Sequence, residues 1–152
     1  MILLAGGGAD IEKGLAAEQD TPPSGRVEVI LANQYRNELE AIKQEFAQAG
    51  MPNVHIQFLR LGQPPPNIGI GRKVPAERAR EAIRLALKYN RAVKILLPAY
   101  LFPPAFITIA SSNFDDTVEF PITAEDLARL HDASLTTEQF HELYRRLTTP
   151  RK

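Results

Sequence analysis

The chain repeats one pattern twice: a short strand pattern, an amphipathic helix pattern and a second strand pattern. Apolar residues that alternate with period two indicate strands, and apolar residues three and four positions apart indicate helices. By these criteria the first copy is a strand at 26–33, a helix at 36–50 and a strand at 53–61. The second copy is a strand and a helix within 68–90 and a strand at 92–98. The chain therefore has the order β-α-β-β-α-β.

This order is that of a ferredoxin-like core. We predict an α+β domain in which two helices cover one face of a four-stranded antiparallel sheet. An extra strand near 106–112 and helices after Thr123 would extend this core. We expect residues 1–25 to form an amino-terminal arm or an additional strand and helix, 26–112 to form the core, and 113–152 to form a helical extension packed on it.

A second fold stays open, an α/β Rossmann-like domain with parallel strands. Its strands would be residues 2–5, 27–32, 54–60 and 93–98, and the glycines Gly6–Gly8 would face a phosphate. Parallel buried strands are typically continuous apolar runs. The segments ILLA, VILA and KILLP partly have this character, but NVHIQFLRL does not. The direction of the strands therefore separates the two folds.

Composition excludes several classes of function. The 18 basic and 18 acidic residues cancel, so no global field favours nucleic acid or an anionic membrane. The chain has no cysteine, which excludes disulfides, thiolate zinc sites and a cysteine nucleophile. No apolar run approaches the ~20 residues of a membrane span, and the amino terminus lacks the pattern of a secretory signal. We expect a soluble cytoplasmic protein that binds neither nucleic acid nor membrane.

The stretch QPPPNIGIGRKVPAERA, residues 63–79, combines a Gly-x-Gly motif with two basic residues and the start of a helix. A dinucleotide fingerprint requires a third glycine where this chain has Val74, and the chain lacks the Gly-Lys-Ser/Thr of a Walker loop. The alternation instead makes IGIG a strand, with both isoleucines in the core and Gly69 and Gly71 on the other face. We expect these glycines to form a bare patch that a ligand can approach closely.

We predict that the contact surface is the open face of the sheet, opposite the helices. Arg72 precedes a helix amino terminus, where free N–H groups could bind an anion. The predicted ligand-binding residues are His55, Gln57, Gly69, Gly71, Arg72 and Lys94.

The remaining sequence offers no set of groups for catalysis. His131 and His141 are expected on the surface of the carboxy-terminal helices, and the histidines do not have metal-binding spacing. No nucleophile, base and orienting residue can be assigned together. We therefore assign no catalytic residue, metal or cofactor, and favour a binding module over an enzyme.

The stretch from Arg26 to Pro98 resembles the sporulation-related repeat (SPOR) family. The segment VILANQYRNELEAIKQEFAQAG follows the family order of strand, polar turn and Ala/Glu/Arg-rich helix that ends in Ala-Gly. The segment IGIGRKVPAERAREAIRLAL follows the order of its second half. The resemblance implies a ferredoxin-like fold and binding of septal peptidoglycan glycans through the open sheet face.

Three hypotheses about function follow. The first is a non-catalytic ligand-binding or protein-interaction module that uses the open sheet face and binds a protein, a glycan or a small ligand. The second is a Rossmann-like nucleotide-binding protein or enzyme. The third is a regulatory domain that forms a homodimer through a sheet edge or face.

Overall fold

The computed structural model describes residues 25–90, 92–114 and 121–148 of the 152-residue chain. Apart from Gly25, the predicted amino-terminal arm and its Gly6–Gly8 run lie outside the described residues. The described strands are β1 (Val27–Leu31), β2 (Val54–Phe58), β3 (Asn67–Ile70), β4 (Ile95–Leu97) and β5 (Ile107–Ile109). The described helices are α1 (Leu39–Gln48), α2 (Ala76–Asn90), α3 (Ala124–Leu130) and α4 (Thr137–Thr148), and short 3₁₀ helices span Asn33–Glu38 and Ala99–Leu101.

The five strands form one mixed sheet in the order β2-β1-β5-β3-β4. β1 pairs in parallel with β2 and with β5, whereas β3 pairs in parallel with β4 and antiparallel with β5. The α+β class is therefore confirmed, but the predicted four-stranded antiparallel sheet is wrong. The all-parallel alternative is also wrong for residues 93–98, because β4 runs opposite to β1 and β2.

The connections explain this topology. Helix α1 links two adjacent parallel strands, and α2 does the same in the second half, as a β-α-β crossover requires. The prolines at 64–66 have no N–H to donate, so the segment between β2 and β3 is poorly suited to a hairpin that would pair these strands. The extra strand predicted near 106–112 is present as β5, and it lies at the centre of the sheet rather than outside a completed core.

Helices α1 and α2 cover the same face of the sheet and form the main core with it. Ile42 and Phe46 of α1 and Ala79 and Ile83 of α2 are buried in one apolar cluster with the strands, and within each helix the two residues are four positions apart, which places them on one face. Across the outer side of the two helices, Lys88 Nζ lies 2.7 Å from a carboxylate oxygen of Glu45. The helix ending at Gln48 is followed by Gly50, whose φ of 89° is the left-handed conformation that glycine adopts readily after a helix end.

The carboxy-terminal helices begin at threonine caps. The amide of Asp126 donates to Thr123 Oγ1 at the start of α3, and the amide of Gln139 donates to Thr136 Oγ1 at the start of α4. Helix α4 packs beside α2 and against β4, and Phe140 and Tyr144 are fully buried there. No helix among the described residues is both long and apolar enough to span a membrane.

Candidate functional site

The face of the sheet opposite α1 and α2 is open over β1 and β2, whereas Thr108 of β5 on the same face is buried. In register, Glu28 of β1 lies between His55 of β2 and Thr108 of β5, and Ile30 lies beside Gln57. Glu28, His55 and Gln57 are exposed. Together with residues 111–113, they line a depression of about 230 Å³. The structure therefore brings His55 and Gln57 together on one exposed face, as the alternation of β2 indicated.

The prediction that Gly69 and Gly71 form a bare patch on the open face is wrong. Gly69 and Gly71 do lie opposite the helices, but both are buried. A β-carbon on Gly69 would lie 2.7 Å from Phe102 Cζ, and one on Gly71 would lie 2.5 Å from the carbonyl oxygen of Pro104. The proline-rich segment after β4 closes over β3, so the missing side chains make room for the chain itself.

Lys94 does not belong to the same surface as His55 and Gln57. It is exposed just before β4, and β4 and β2 are opposite edges of the sheet. Simple alternation places Lys94 and Leu96 on the open face and Leu97 in the core, but the faces are reversed, because Leu96 pairs in register with the core residue Ile68 and Leu97 pairs with Gly69. The segment KILLP is apolar on both faces, so alternation could not assign them.

Arg72 lies at a different place, at the mouth of a larger cavity. This cavity has a volume of about 730 Å³ and lies at the carboxyl ends of the parallel strands β3 and β4, with α4 as its opposite wall. Its lining includes Arg72, Pro98, Ala99, Tyr100, His141 and Tyr144. We call it the α4 cavity.

His141 joins α4 to the segment between β3 and α2. Its Nε2 lies 2.8 Å from the carbonyl oxygen of Val74, and a carbonyl only accepts, so Nε2 carries the proton. Burial lowers the pKa of His141, and the hydrogen bond to Val74 only partly opposes that effect. At neutral pH the imidazole is therefore uncharged, and its Nδ1 retains a lone pair that can accept a hydrogen bond.

Two hydroxyl groups that line the α4 cavity, those of Tyr144 and Thr137, take part in structural hydrogen bonds. The phenol of Tyr144 donates to the carbonyl oxygen of Leu97 at 2.7 Å, and burial raises its pKa. Thr137 Oγ1 accepts from the amide of Ala76 at 3.0 Å. Because neither oxygen is hydrogen-bonded to a side-chain base in this structure, neither has the arrangement of an activated nucleophile.

Some of the charged side chains at the mouth of the α4 cavity already form ion pairs with one another. A carboxylate oxygen of Glu142 lies 2.6 Å from Arg145 and 3.3 Å from Arg146. Arg72 is exposed and forms no hydrogen bond or ion pair with the described part of the chain. A ligand could therefore bind its guanidinium without breaking an interaction seen in this structure.

No family model matches the chain. Searches of curated proteins and of solved structures likewise found no significant match. The resemblance to the SPOR family therefore stays a prediction. Within residues 25–90, 92–114 and 121–148, no three side chains of the metal-binding types are grouped to hold an ion.

The α4 cavity is not indicated by the sequence pattern. His141, which the pattern of α4 predicts to be on the surface, is half-buried and hydrogen-bonded to a residue 67 positions away. The available signal was the spacing of Thr137, His141, Tyr144 and Thr148, which places polar residues along one stripe of α4. That stripe marks a polar helix face, but the wall opposite it comes from residues that are distant in sequence.

Proposed function

We propose that this chain is a non-catalytic binding module that holds a small organic ligand in the α4 cavity. The observation that carries the proposal is the cavity itself, whose volume of about 730 Å³ falls within the roughly 300–1,000 Å³ of small-molecule sites. Its position at the carboxyl ends of two parallel strands is where ligands bind in open α/β sheets. The hydroxyl groups of Tyr144 and Thr137 are already hydrogen-bonded to the main chain, which favours binding over nucleophilic chemistry.

The chemistry of the walls supports a ligand with an apolar body and an acidic group. Pro98, Ala99 and Tyr100 provide apolar surface, and Tyr100 is 83% exposed beside the cavity. Arg72 provides a cation at the mouth that can pair with a carboxylate. His141 Nδ1 adds an acceptor, so a ligand that also carries a hydroxyl or amide donor would be favoured.

Filling the cavity provides the test. We expect carboxylic acids with aromatic or aliphatic bodies to shift the amide resonances of α4, and Ala99→Trp to abolish these shifts because the indole occupies the cavity. Ala41→Trp, at an exposed position of α1, is the matched control and should bind as the wild type does. Arg72→Gln should weaken binding of the acids by about tenfold, the loss expected for one charge-assisted hydrogen bond, and leave matched primary amides unaffected. Unchanged binding in Ala99→Trp would contradict the proposal.

A second candidate function is glycan binding on the open face of β1 and β2, as in the SPOR resemblance. The observation that favours it is the exposed, in-register group of Glu28, His55 and Gln57, with Ile30 beside Gln57. These side chains offer donors and acceptors for sugar hydroxyls beside a half-buried apolar surface. The depression of about 230 Å³ suits one sugar ring lying across strands.

Titration with soluble peptidoglycan fragments tests this second function. Binding should shift the amide resonances of β1 and β2 without moving those of α4. His55→Ala and Gln57→Ala should each reduce affinity several-fold through the loss of a hydrogen bond. His131→Ala, which changes an exposed histidine at the end of α3, should not. If the fragments leave β1 and β2 unshifted, glycan binding on this face is wrong.

A further inference from the structure

The outer edge of β2 carries main-chain groups that no described strand pairs with. β2 pairs only with β1 in the described sheet. The amide of Val27 donates to Asn53 and the amide of Leu59 donates to Leu31. Because alternate residues of a strand bond to the same neighbour, Val54, Ile56 and Phe58 direct their N–H and C=O groups to the free edge.

This edge lacks the features that usually protect an exposed strand. Natural sheet edges typically carry a lysine, a proline or a bulge, whereas β2 has the sequence VHIQF and pairs with β1 without interruption. At the other edge of the sheet, the amide of Ile122 donates to the carbonyl of Lys94, just before β4. The contrast singles out β2.

Apolar side chains at the same edge are also incompletely covered. Val54, Ile56 and Phe58 point to the core face, in register with Val27, Val29 and Leu31 of β1. The three β1 residues are at most 1% exposed, whereas Val54 is 7% exposed and Ile56 and Phe58 are only half-buried. A further strand beside β2 would remove this apolar surface from water as well as pair its main chain.

We infer that β2 is the interface of a homodimer, in which it pairs antiparallel with β2 of a second copy about a two-fold axis at Ile56. In this register Val54 lies opposite Phe58 of the other copy, and Ile56 lies opposite its own equivalent. Each of these three residues then donates one hydrogen bond and accepts one across the interface. The two five-stranded sheets become continuous.

The side chains of β2 are self-complementary in this register. On the core face, apolar residues meet apolar residues. On the open face, His55 lies opposite Gln57, a pair that can form a hydrogen bond. β2 contains no Asp, Glu, Lys or Arg, so a second copy meets no like charge from the strand itself. These features favour another copy of this chain over a partner of different sequence.

The expected affinity follows from the size of the contact. Two five-residue strands bury less than the roughly 1,200–2,000 Å² of a standard stable interface. We therefore expect a reversible dimer, with a dissociation constant on the order of micromolar. Analytical ultracentrifugation of the full chain over a concentration series should show a monomer–dimer equilibrium.

Charge changes at the two exposed positions test the register. In the double variant His55→Glu/Gln57→Glu a carboxylate faces a carboxylate at both cross-strand pairs, which destabilises the pairing, and we expect the dissociation constant to rise by at least about tenfold. In His55→Lys/Gln57→Glu the same two pairs are oppositely charged, so the dimer should persist. Both variants change the same exposed residues, and circular dichroism should confirm that both fold.

Amide hydrogen exchange identifies the interface. The amides of Val54, Ile56 and Phe58 should exchange more slowly as the wild-type concentration rises, and this protection should disappear in His55→Glu/Gln57→Glu. A wild type that remains monomeric at the highest concentration would overturn the inference. So would a dimer that survives the double carboxylate variant, or one that leaves these three amides unprotected.

Discussion

At residue 71 the side chain is absent because main-chain atoms occupy its place. A β-carbon there would lie 2.5 Å from the carbonyl oxygen and 2.7 Å from the carbonyl carbon of Pro104. At Gly69 the obstructing atoms belong mainly to the ring of Phe102 and the methyl group of Thr108, which are side chains. A side chain can rotate away from a new methyl group, whereas the backbone of Pro103 and Pro104 has fixed φ angles, and the carbonyl of Pro104 accepts from the amide of Lys73.

This difference sets an order for two substitutions. We expect Gly71→Ala to lower the free energy of unfolding by about 1–3 kcal/mol through overpacking, because the 103–104 backbone has to move. Gly69→Ala should cost less, since the ring of Phe102 can shift. Urea denaturation followed by circular dichroism measures both. A loss for Gly69→Ala that equals or exceeds the loss for Gly71→Ala would contradict this account of how β3 is covered.

At the scale of secondary-structure elements, α4 is hydrogen-bonded to two separate parts of the domain. Its first turns contact the segment that leads into α2, through Thr137 to Ala76 and through His141 to Val74. Farther along, Tyr144 bonds to the main chain of β4. The helix therefore fixes both the segment that carries Arg72 and the strand end that forms the other wall of the α4 cavity.

The His141 contact makes stability depend on pH. The pKa of His141 lies below its usual value of 6.5 in the folded protein, so the unfolded chain binds a proton more readily. The stabilisation is complete above about pH 6.5 and is lost as the pH falls through that value towards the folded-state pKa. We expect the melting temperature to fall as the pH is lowered from neutrality to about 5.5, and His141→Gln to flatten this dependence.

His131→Gln is the matched control for that measurement, because His131 is exposed and should leave the slope unchanged. The pKa values of Glu45 and Glu81 are also lowered, but these two carboxyl groups affect stability in a lower pH range. Their stabilisation is lost only as the pH falls below their usual value of 4.5. A slope between pH 7 and 5.5 that persists in His141→Gln would contradict the assignment.

At the scale of the whole molecule, the sequence pattern predicts the individual helices and strands but not which strands are adjacent in the sheet. The helices and strands lie close to their predicted positions because apolar spacing is a local property. The alternation of β2 also identified His55 and Gln57 as neighbours on an exposed face. It could not show which strands are adjacent, because period-two patterning specifies faces and not neighbours.

The errors in the predicted positions of the site residues have the same physical cause. The pattern placed Gly69 and Gly71 opposite the helices but carried no sign of Phe102 and Pro104, more than 30 residues later, which cover them. The α4 cavity likewise needs a helix and two strand ends that are distant in sequence. Long-range packing, rather than local preference, decides which exposed residue shares a site with which.

The central position of β5 has a consequence for the order in which the protein is made. β5 is the strand that pairs with both β1 and β3, and Ile109 lies in register with Val29 on one side and Ile68 on the other. During synthesis β1, β2, β3 and β4 all leave the ribosome before it does. Until residues 107–109 emerge, the two halves of the sheet share no backbone pairing within the described residues. The nascent chain must therefore keep two unpaired strand edges, each able to mispair, until β5 emerges and pairs with both of them.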